Sequence, residues 1–300
     1  MKVFMTGGTG FIGGNLVRAL VERGDSVIVA TRNPDRHEAG KQVRYITLEK
    51  GLAEHLGGCD VVVNLAGESL FGKRWTTAVK KRLHESRIRT TRMLVDVMRK
   101  MEDRPALMLS GSAVGYYGDH GSDKVTESSS SGSDFLAELC RDWEHAALEA
   151  GQLGVRVVTP RVGVVLGRNG GALATMLPVF RAFLGGSIGA GTQYFPWIHV
   201  DDLCRSFLFI MDNDGINGAC NATSPNPVTM DEFSRELGRA LSRPSLFRVP
   251  EFALNTVLGE AAAMITTSLR VIPEKILEEG FRFHHARISE ALTDILSETR

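Results

Sequence analysis

The sequence predicts an α/β fold: a doubly wound parallel sheet with a smaller C-terminal α-rich lobe. Three observations predict it. A glycine-rich turn, Thr6-Gly7-Gly8-Thr9-Gly10-Phe11-Ile12-Gly13, joins a short apolar run to an amphipathic one. Short β-branched runs then alternate with helical patterns up to about residue 160, and beyond Leu166 the texture changes to glycine-rich connections followed by short helical segments.

The turn comes first. Lys2-Val3-Phe4-Met5 reads as a strand and Asn15 to Arg23 as a helix closed by Gly24. In a strand-turn-helix of this kind Gly7 allows the turn, Gly10 lets backbone approach a pyrophosphate, and Gly13 lets the helix pack closely on its strand. The helix N-terminus offers free N–H groups and a favourable dipole to phosphate. The plainer alternative is a glycine turn that binds nothing. Ser26 to Ala30 is the second strand and runs into Thr31-Arg32-Asn33-Pro34. An acid at this strand end suits a free ribose 2′-hydroxyl, whereas Arg32 suits a 2′-phosphate, so the residues favour NADP(H) over NAD, with Arg36 assisting, unless Arg32 is merely solvated.

Val43 to Ile46 is a third strand, Leu52 to Leu56 a short crossover helix, and Cys59 to Asn64 a buried strand leaving through Leu65-Ala66-Gly67. Small residues at that exit let backbone lie against a cofactor, or serve as an ordinary turn. A long helical pattern spans Thr76 to Met101, Ala106 to Ser110 is the fifth strand, and a serine-rich loop covers Asp119 to Ser133. Phe135 to Ala150 is helical, and Val155 to Thr159 is the sixth strand. The chain returns through Pro196 to Asp202, a helix follows from Asp202 to Met211, and Thr229-Met230-Asp231-Glu232 is a capping box opening another to Leu241. Short helices are expected around Pro250, Pro273 and Arg287.

The bulk properties limit the partners. The 300 residues are 43% hydrophobic and 23% charged, and Lys plus Arg, at 35, equal Asp plus Glu, at 35. No basic field exists to hold nucleic acid or an anionic membrane, so a small-molecule substrate is expected. Cys59, Cys140, Cys204 and Cys220 show no metal-ligand spacing. That favours a reducing compartment and no metal. With no leader pattern and no apolar run of membrane-spanning length, a cytoplasmic location is expected.

These residues resemble the extended short-chain dehydrogenase/reductase class, within the NAD-dependent epimerase/dehydratase superfamily. More narrowly, Arg74-Trp75, Ser86-Arg87, Gly115-Tyr116-Tyr117-Gly118, Phe135-Leu136-Ala137-Glu138, Gly163 to Gly167 and Trp197-Ile198-His199 are similar to the YfcH-like epimerase family, whose members end in a domain of unknown function. The resemblance implies an NADP(H)-binding Rossmann domain over residues 1–165, rejoined at about 196–225. It implies a substrate lobe and appendix over 166–300, with the family's C-terminal domain at about 245–292. It implies cofactor contacts at Thr6, Gly7, Gly10, Phe11, Ile12, Gly13, Thr31, Arg32, Leu65, Ala66, Gly67 and Arg87. A homodimer through the helices after Trp75 and from Phe135 is also consistent with it.

In the broad class a Ser polarises a substrate oxygen, and a Tyr moves the proton while a Lys one helical turn later lowers its pKa. Here Phe135 and Leu139 stand at the Tyr and Lys positions, and no Tyr-x-x-x-Lys occurs anywhere in the chain. Ser112 keeps the polarising position. Tyr116 and Tyr117 are the nearest phenols, either catalytic with help from a cation such as Arg87 or Lys81, or simply packed beneath the loop. His199 and Asp201 form either an acid–base pair or a backbone contact and a helix cap. Glu68 and Glu127 are further polar candidates, and Trp75 and Trp197 line a pocket or pack. Two functions follow: a nucleotide-sugar epimerase or oxidoreductase with an atypical proton donor, or a non-catalytic NADP(H)-binding sensor acting through a protein partner.

Overall fold

The structure, a computed structural model, describes residues 1–48, 51–70, 74–168 and 170–297. Strand β1 (Lys2–Thr6) leads through the glycine turn into α1 (Phe11–Arg23), which ends at Gly24 in the left-handed conformation that relieves the last helical carbonyls. Then come β2 (Ser26–Ala30), a 3-10 turn at Pro34–Arg36, β3 (Val43–Ile46), α2 (Leu52–Leu56), β4 (Val61–Asn64) and α3 (Thr77–Arg99). Thr76 starts α3, its hydroxyl accepting the Val79 N–H. β5 (Leu107–Ser110), β6 (Ser112–Ala113), a 3-10 turn at Val114–Tyr117, β7 (Lys124–Val125), α4 (Phe135–Leu148) and β8 (Arg156–Val162) complete this half. The Asp134 carboxylate caps α4 by accepting the Ala137 N–H.

The second half is built from shorter pieces. They are β9 (Val164–Gly167), α5 (Gly171–Arg181), β10 (Gly186–Ile188), β11 (Tyr194–Phe195), β12 (Trp197–His199), α6 (Val200–Asp212), β13 (Gly218–Ala222), β14 (Val228–Thr229) and α7 (Met230–Leu241). β15 (Phe247–Val249), α8 (Glu251–Leu258), α9 (Ala263–Thr266), β16 (Arg270–Val271), α10 (Glu274–Glu278) and α11 (Ile288–Ser297) follow. The Thr229–Glu232 capping box forms as its residues require, each side chain accepting the other's backbone N–H.

The main sheet runs β13-β8-β5-β4-β1-β2-β3, all parallel, with β6 also on β8. This is the doubly wound order, and its direction of progression reverses between β1 and β4, where ligands of such sheets collect at the C-terminal edge. Register aligns Thr6 with Ala30 on one side and Asn64 on the other, so the strand ends reach that edge together. One face is covered by α1 and α6 through Leu16, Leu20, Leu203 and Phe207; the other by α3 and α4 through Leu94, Met98 and Ala147. A third core around Trp197, Phe233, Leu237 and Leu292 holds the lobe together. All four cysteines are free and buried. Among the described residues no helix is long and apolar enough to cross a membrane.

Candidate functional site

The C-terminal edge of β1, β2 and β4 is a cradle of backbone. Gly7 has φ +74°, and a Cβ on it would lie 2.5 Å from the Leu65 carbonyl, so the turn is locked against the exit of β4. A Cβ on Gly13 would lie 2.2 Å from the Gly7 oxygen, which holds the first turn of α1 against the loop. Gly10 is the N-cap of α1 and supplies no side-chain cap. The leading N–H groups therefore lack an intrahelical partner, the arrangement that takes a phosphate. Ile12 is half-buried at this terminus. The Phe11 ring packs against Gly167 and Gly170, so at Phe11 it is backbone that is offered to a ligand.

Thr6 reaches the same edge, but its side chain faces inward. Its buried hydroxyl donates to Asn64 Oδ1 at 2.7 Å, and Asn64 in turn donates to Thr91 and Ser110. Thr6 thus ties β1 to β4 and has no side-chain hydrogen to spare. Thr31 is half-buried, and its hydroxyl accepts the Asn33 N–H. Arg32 beside it is exposed and forms no ion pair or hydrogen bond among the described residues. At β4, Leu65 and Ala66 are half-buried and Gly67 is exposed. Arg87 lies against Gly67, donating to the Leu83 and Glu68 carbonyls at 3.1 Å each. It is only 8% exposed, and burial lowers its pKa.

The three candidate catalytic residues meet in a buried network that only the tertiary structure assembles. Ser112 Oγ donates to Glu144 Oε1 at 2.6 Å, and Arg161 grips both oxygens of Glu144 at 2.8 and 2.9 Å. Arg161 also donates to the Tyr117 oxygen at 2.9 Å, while Tyr117 donates to Asn221 at 2.6 Å. Tyr117 is fully buried, and that burial pushes its phenol up to about 12. An acid–base catalyst at neutral pH needs the opposite shift, and the buried phenol, bonded to both Arg161 and Asn221, ties this network together. Tyr116 is half-buried with the Arg161 guanidinium 3.4 Å over its ring. The cation near the phenols is therefore Arg161; Lys81 is exposed and pairs with Glu85. Sequence reasoning missed Glu144, Arg161 and Asn221. The available signal was a carboxylate on the apolar face of α4 and an arginine inside a β-branched strand, both of which need buried partners.

Phe135 and Leu139 occupy their expected places on α4. Phe135 meets Trp75 edge to face at 5.4 Å and Leu139 is buried, so neither position carries a titratable group. Glu68 Oε2 lies 3.5 Å from Arg82. Glu127 Oε1 accepts the Asn221 and Lys275 N–H groups, fastening the serine-rich loop to β13 and α10. Trp197 is fully buried and packs rather than lining a pocket.

His199 resolves in favour of structure, with a correction. The cap of α6 is the His199 ring itself, whose Nδ1 accepts the Asp201 N–H at 3.1 Å; Asp201 does not cap. A neutral ring accepting at Nδ1 carries its hydrogen at Nε2, a buried atom 3.3 Å from Asp294 Oδ2 that makes no hydrogen bond among the described residues. His285 stacks on His199 at 3.9 Å between rings. His199, His285 and Asp294 are close enough to share a metal ion. The hydrogen on Nε2 means that His199 offers no lone pair to such an ion without losing its cap.

Comparison with known proteins decides the family. A model of the NAD dependent epimerase/dehydratase family matches residues 3–222, and a domain of unknown function, DUF1731, matches residues 249–295. The chain belongs to the NAD-dependent epimerase/dehydratase family. Within it, the chain is 42% identical over 303 residues to the chloroplastic epimerase family protein SDR39U1 homolog of Arabidopsis thaliana, covering 99% of this chain and 87% of that one. It is 37% identical to the Bacillus subtilis epimerase family protein YfhF, over 100% of this chain and 99% of that one. The human epimerase family protein SDR39U1, whose crystal structure contains NADPH, superposes with a TM-score of 0.89 at 33% identity and 99% coverage of both chains. The Bacillus cereus UDP-glucuronic acid 4-epimerase shares the fold, at 18% identity and a TM-score of 0.78.

Proposed function

We propose that this chain binds NADP(H) along the C-terminal edge of β1, β2 and β4 and uses it as an oxidoreductase with an atypical proton path. The observation that carries the cofactor assignment is the uncapped N-terminus of α1 inside a glycine cradle, with Arg32 unpaired just beyond β2. The residues present fit the group. The N–H groups of Phe11 and Ile12 would hold the pyrophosphate and Arg32 the 2′-phosphate, with the half-buried Leu65-Ala66 backbone at the same edge. The NADPH in the human relative supports this choice. When bound, the nicotinamide supplies or accepts a hydride.

Tyr116 is the phenol left to move a proton, since Ser112 has its own hydrogen committed to Glu144 and Tyr117 is sealed. A second reading, an NADP(H)-binding sensor acting through a protein partner, is favoured by the same closed network and by Phe135 and Leu139. One experiment separates the two: purified protein with NADPH is screened against a panel of carbonyl compounds. The first reading expects turnover that Tyr116→Phe lowers at least tenfold without changing NADPH affinity. Tight cofactor binding with no turnover on any compound selects the sensor.

A further inference from the structure

We infer that the ligand taken beside the dinucleotide is apolar, a ring- or chain-bearing ketone or alcohol rather than a nucleotide sugar; this rests on NADP(H) occupying the sheet edge. The wall next to that edge is made by Trp75, Leu83, Phe135, Leu136, Ala261 and Met264, packed as one cluster. Its place is fixed by its neighbours. A Cβ on Gly115, just after Ser112, would lie 3.1 Å from Leu136 Cβ, and Arg87 on the same helix as Leu83 reaches the Glu68 carbonyl beyond β4. The cluster therefore stands beside the exits of β4 and β5, at the edge where ligands of such a sheet collect.

Two polar groups of this wall, on Trp75 and Lys80, are already engaged. The Trp75 indole N–H donates to the Leu70 carbonyl at 3.2 Å. Lys80 pairs with Glu260, and its ammonium lies 5.1 Å from the centre of the Phe135 ring. A hexose brought here would exchange the hydration of its hydroxyls for carbon surface, and each one left unpaired weakens binding by about tenfold or more. A ketone ring or alkyl chain loses nothing comparable and gains contact with Trp75 and Phe135. Met264 comes from the C-terminal segment that closes over the wall. Its unbranched side chain can repack to admit a ligand without rebuilding the core.

The test separates this inference from the cofactor assignment by measuring NADP⁺ affinity first, by calorimetry. The NADP⁺-saturated protein is then titrated with cyclohexanone, benzophenone and UDP-glucose, following heat and the methionine methyl resonances. We expect a ketone to bind at least tenfold more tightly than UDP-glucose and to shift the Met264 methyl. Phe135→Ser should weaken ketone binding about tenfold and leave NADP⁺ affinity unchanged. Met264→Ala, which only enlarges the space, should tighten benzophenone severalfold. UDP-glucose affinity equal to or better than that of both ketones, or ketone binding that leaves the Met264 methyl unmoved, overturns the inference. Failure of NADP⁺ to bind overturns the cofactor assignment instead.

Discussion

Replacing Arg32 by alanine should weaken NADPH far more than NADH. The side chain is exposed just beyond β2 and makes no ion pair or hydrogen bond among the described residues, so its removal breaks no internal contact and should leave stability within about 0.5 kcal/mol. On the proposed assignment its value lies in the ligand. A guanidinium on a phosphate forms charge-assisted hydrogen bonds worth about 1.5–3 kcal/mol when desolvated. Exposure and salt reduce that to about 1–2 kcal/mol, or roughly 5- to 30-fold in Kd. NADH lacks the 2′-phosphate and should change by less than about twofold. Calorimetry with both cofactors at two salt concentrations gives the answer, and the NADPH-specific loss should shrink at high salt. Equal losses for the two cofactors would refute the 2′-phosphate assignment.

Three other perturbations follow from the same geometry. Gly13→Ala drives a Cβ to 2.2 Å from the Gly7 oxygen, so the turn must shift; stability should fall by about 1–3 kcal/mol in a urea melt, and NADPH affinity should fall with it. Tyr117→Phe leaves Arg161 and Asn221 each short of a buried partner, which should cost about 1–3 kcal/mol while leaving NADPH affinity unchanged; a loss of cofactor binding alone would contradict the structural role. The pKa of His199 is lowered from 6.5 chiefly by burial and then by the charge of His285, against Asp201, Asp294 and Asp202, which act to raise it. Below pH 6.5 the unfolded chain therefore takes up the proton first, and stability falls as pH drops toward the depressed folded value. His199→Asn keeps a capping acceptor, so urea midpoints measured from neutral pH downward should show a shallower decline. An unchanged slope would place the proton elsewhere.

The strands were legible because short runs carrying β-branched residues between turn signals leave little choice of element, whether buried throughout like β4 or half-exposed like β3. Ser26–Ala30 and Val43–Ile46 begin and end where the sequence reading places them. The sixth strand runs on to Val162, beyond the expected Thr159, because Arg161, whose charge breaks the apolar pattern, finds Glu144 as a buried partner. α6 begins at Val200 rather than Asp202 because His199 caps it. A histidine ring acting as a cap has no signature that separates it from one poised for acid–base work until the N–H it accepts is seen. The glycine cradle was legible for the opposite reason. Gly7 and Gly13 are demanded by contacts within one strand-turn-helix unit and its nearest neighbour, and local spacing reports local contacts.

The sequence by itself determined the doubly wound sheet, the dinucleotide cradle at Gly7 to Gly13 and the absence of the Tyr and Lys from α4, since each is a matter of residue order over a few turns of chain. Only the tertiary structure decided what became of Ser112 and Tyr117. Glu144 is 32 positions from Ser112, and Asn221 is 104 from Tyr117. Whether a hydroxyl faces solvent or a buried carboxylate depends on which side chains the fold brings against it. No periodicity along the chain records that choice.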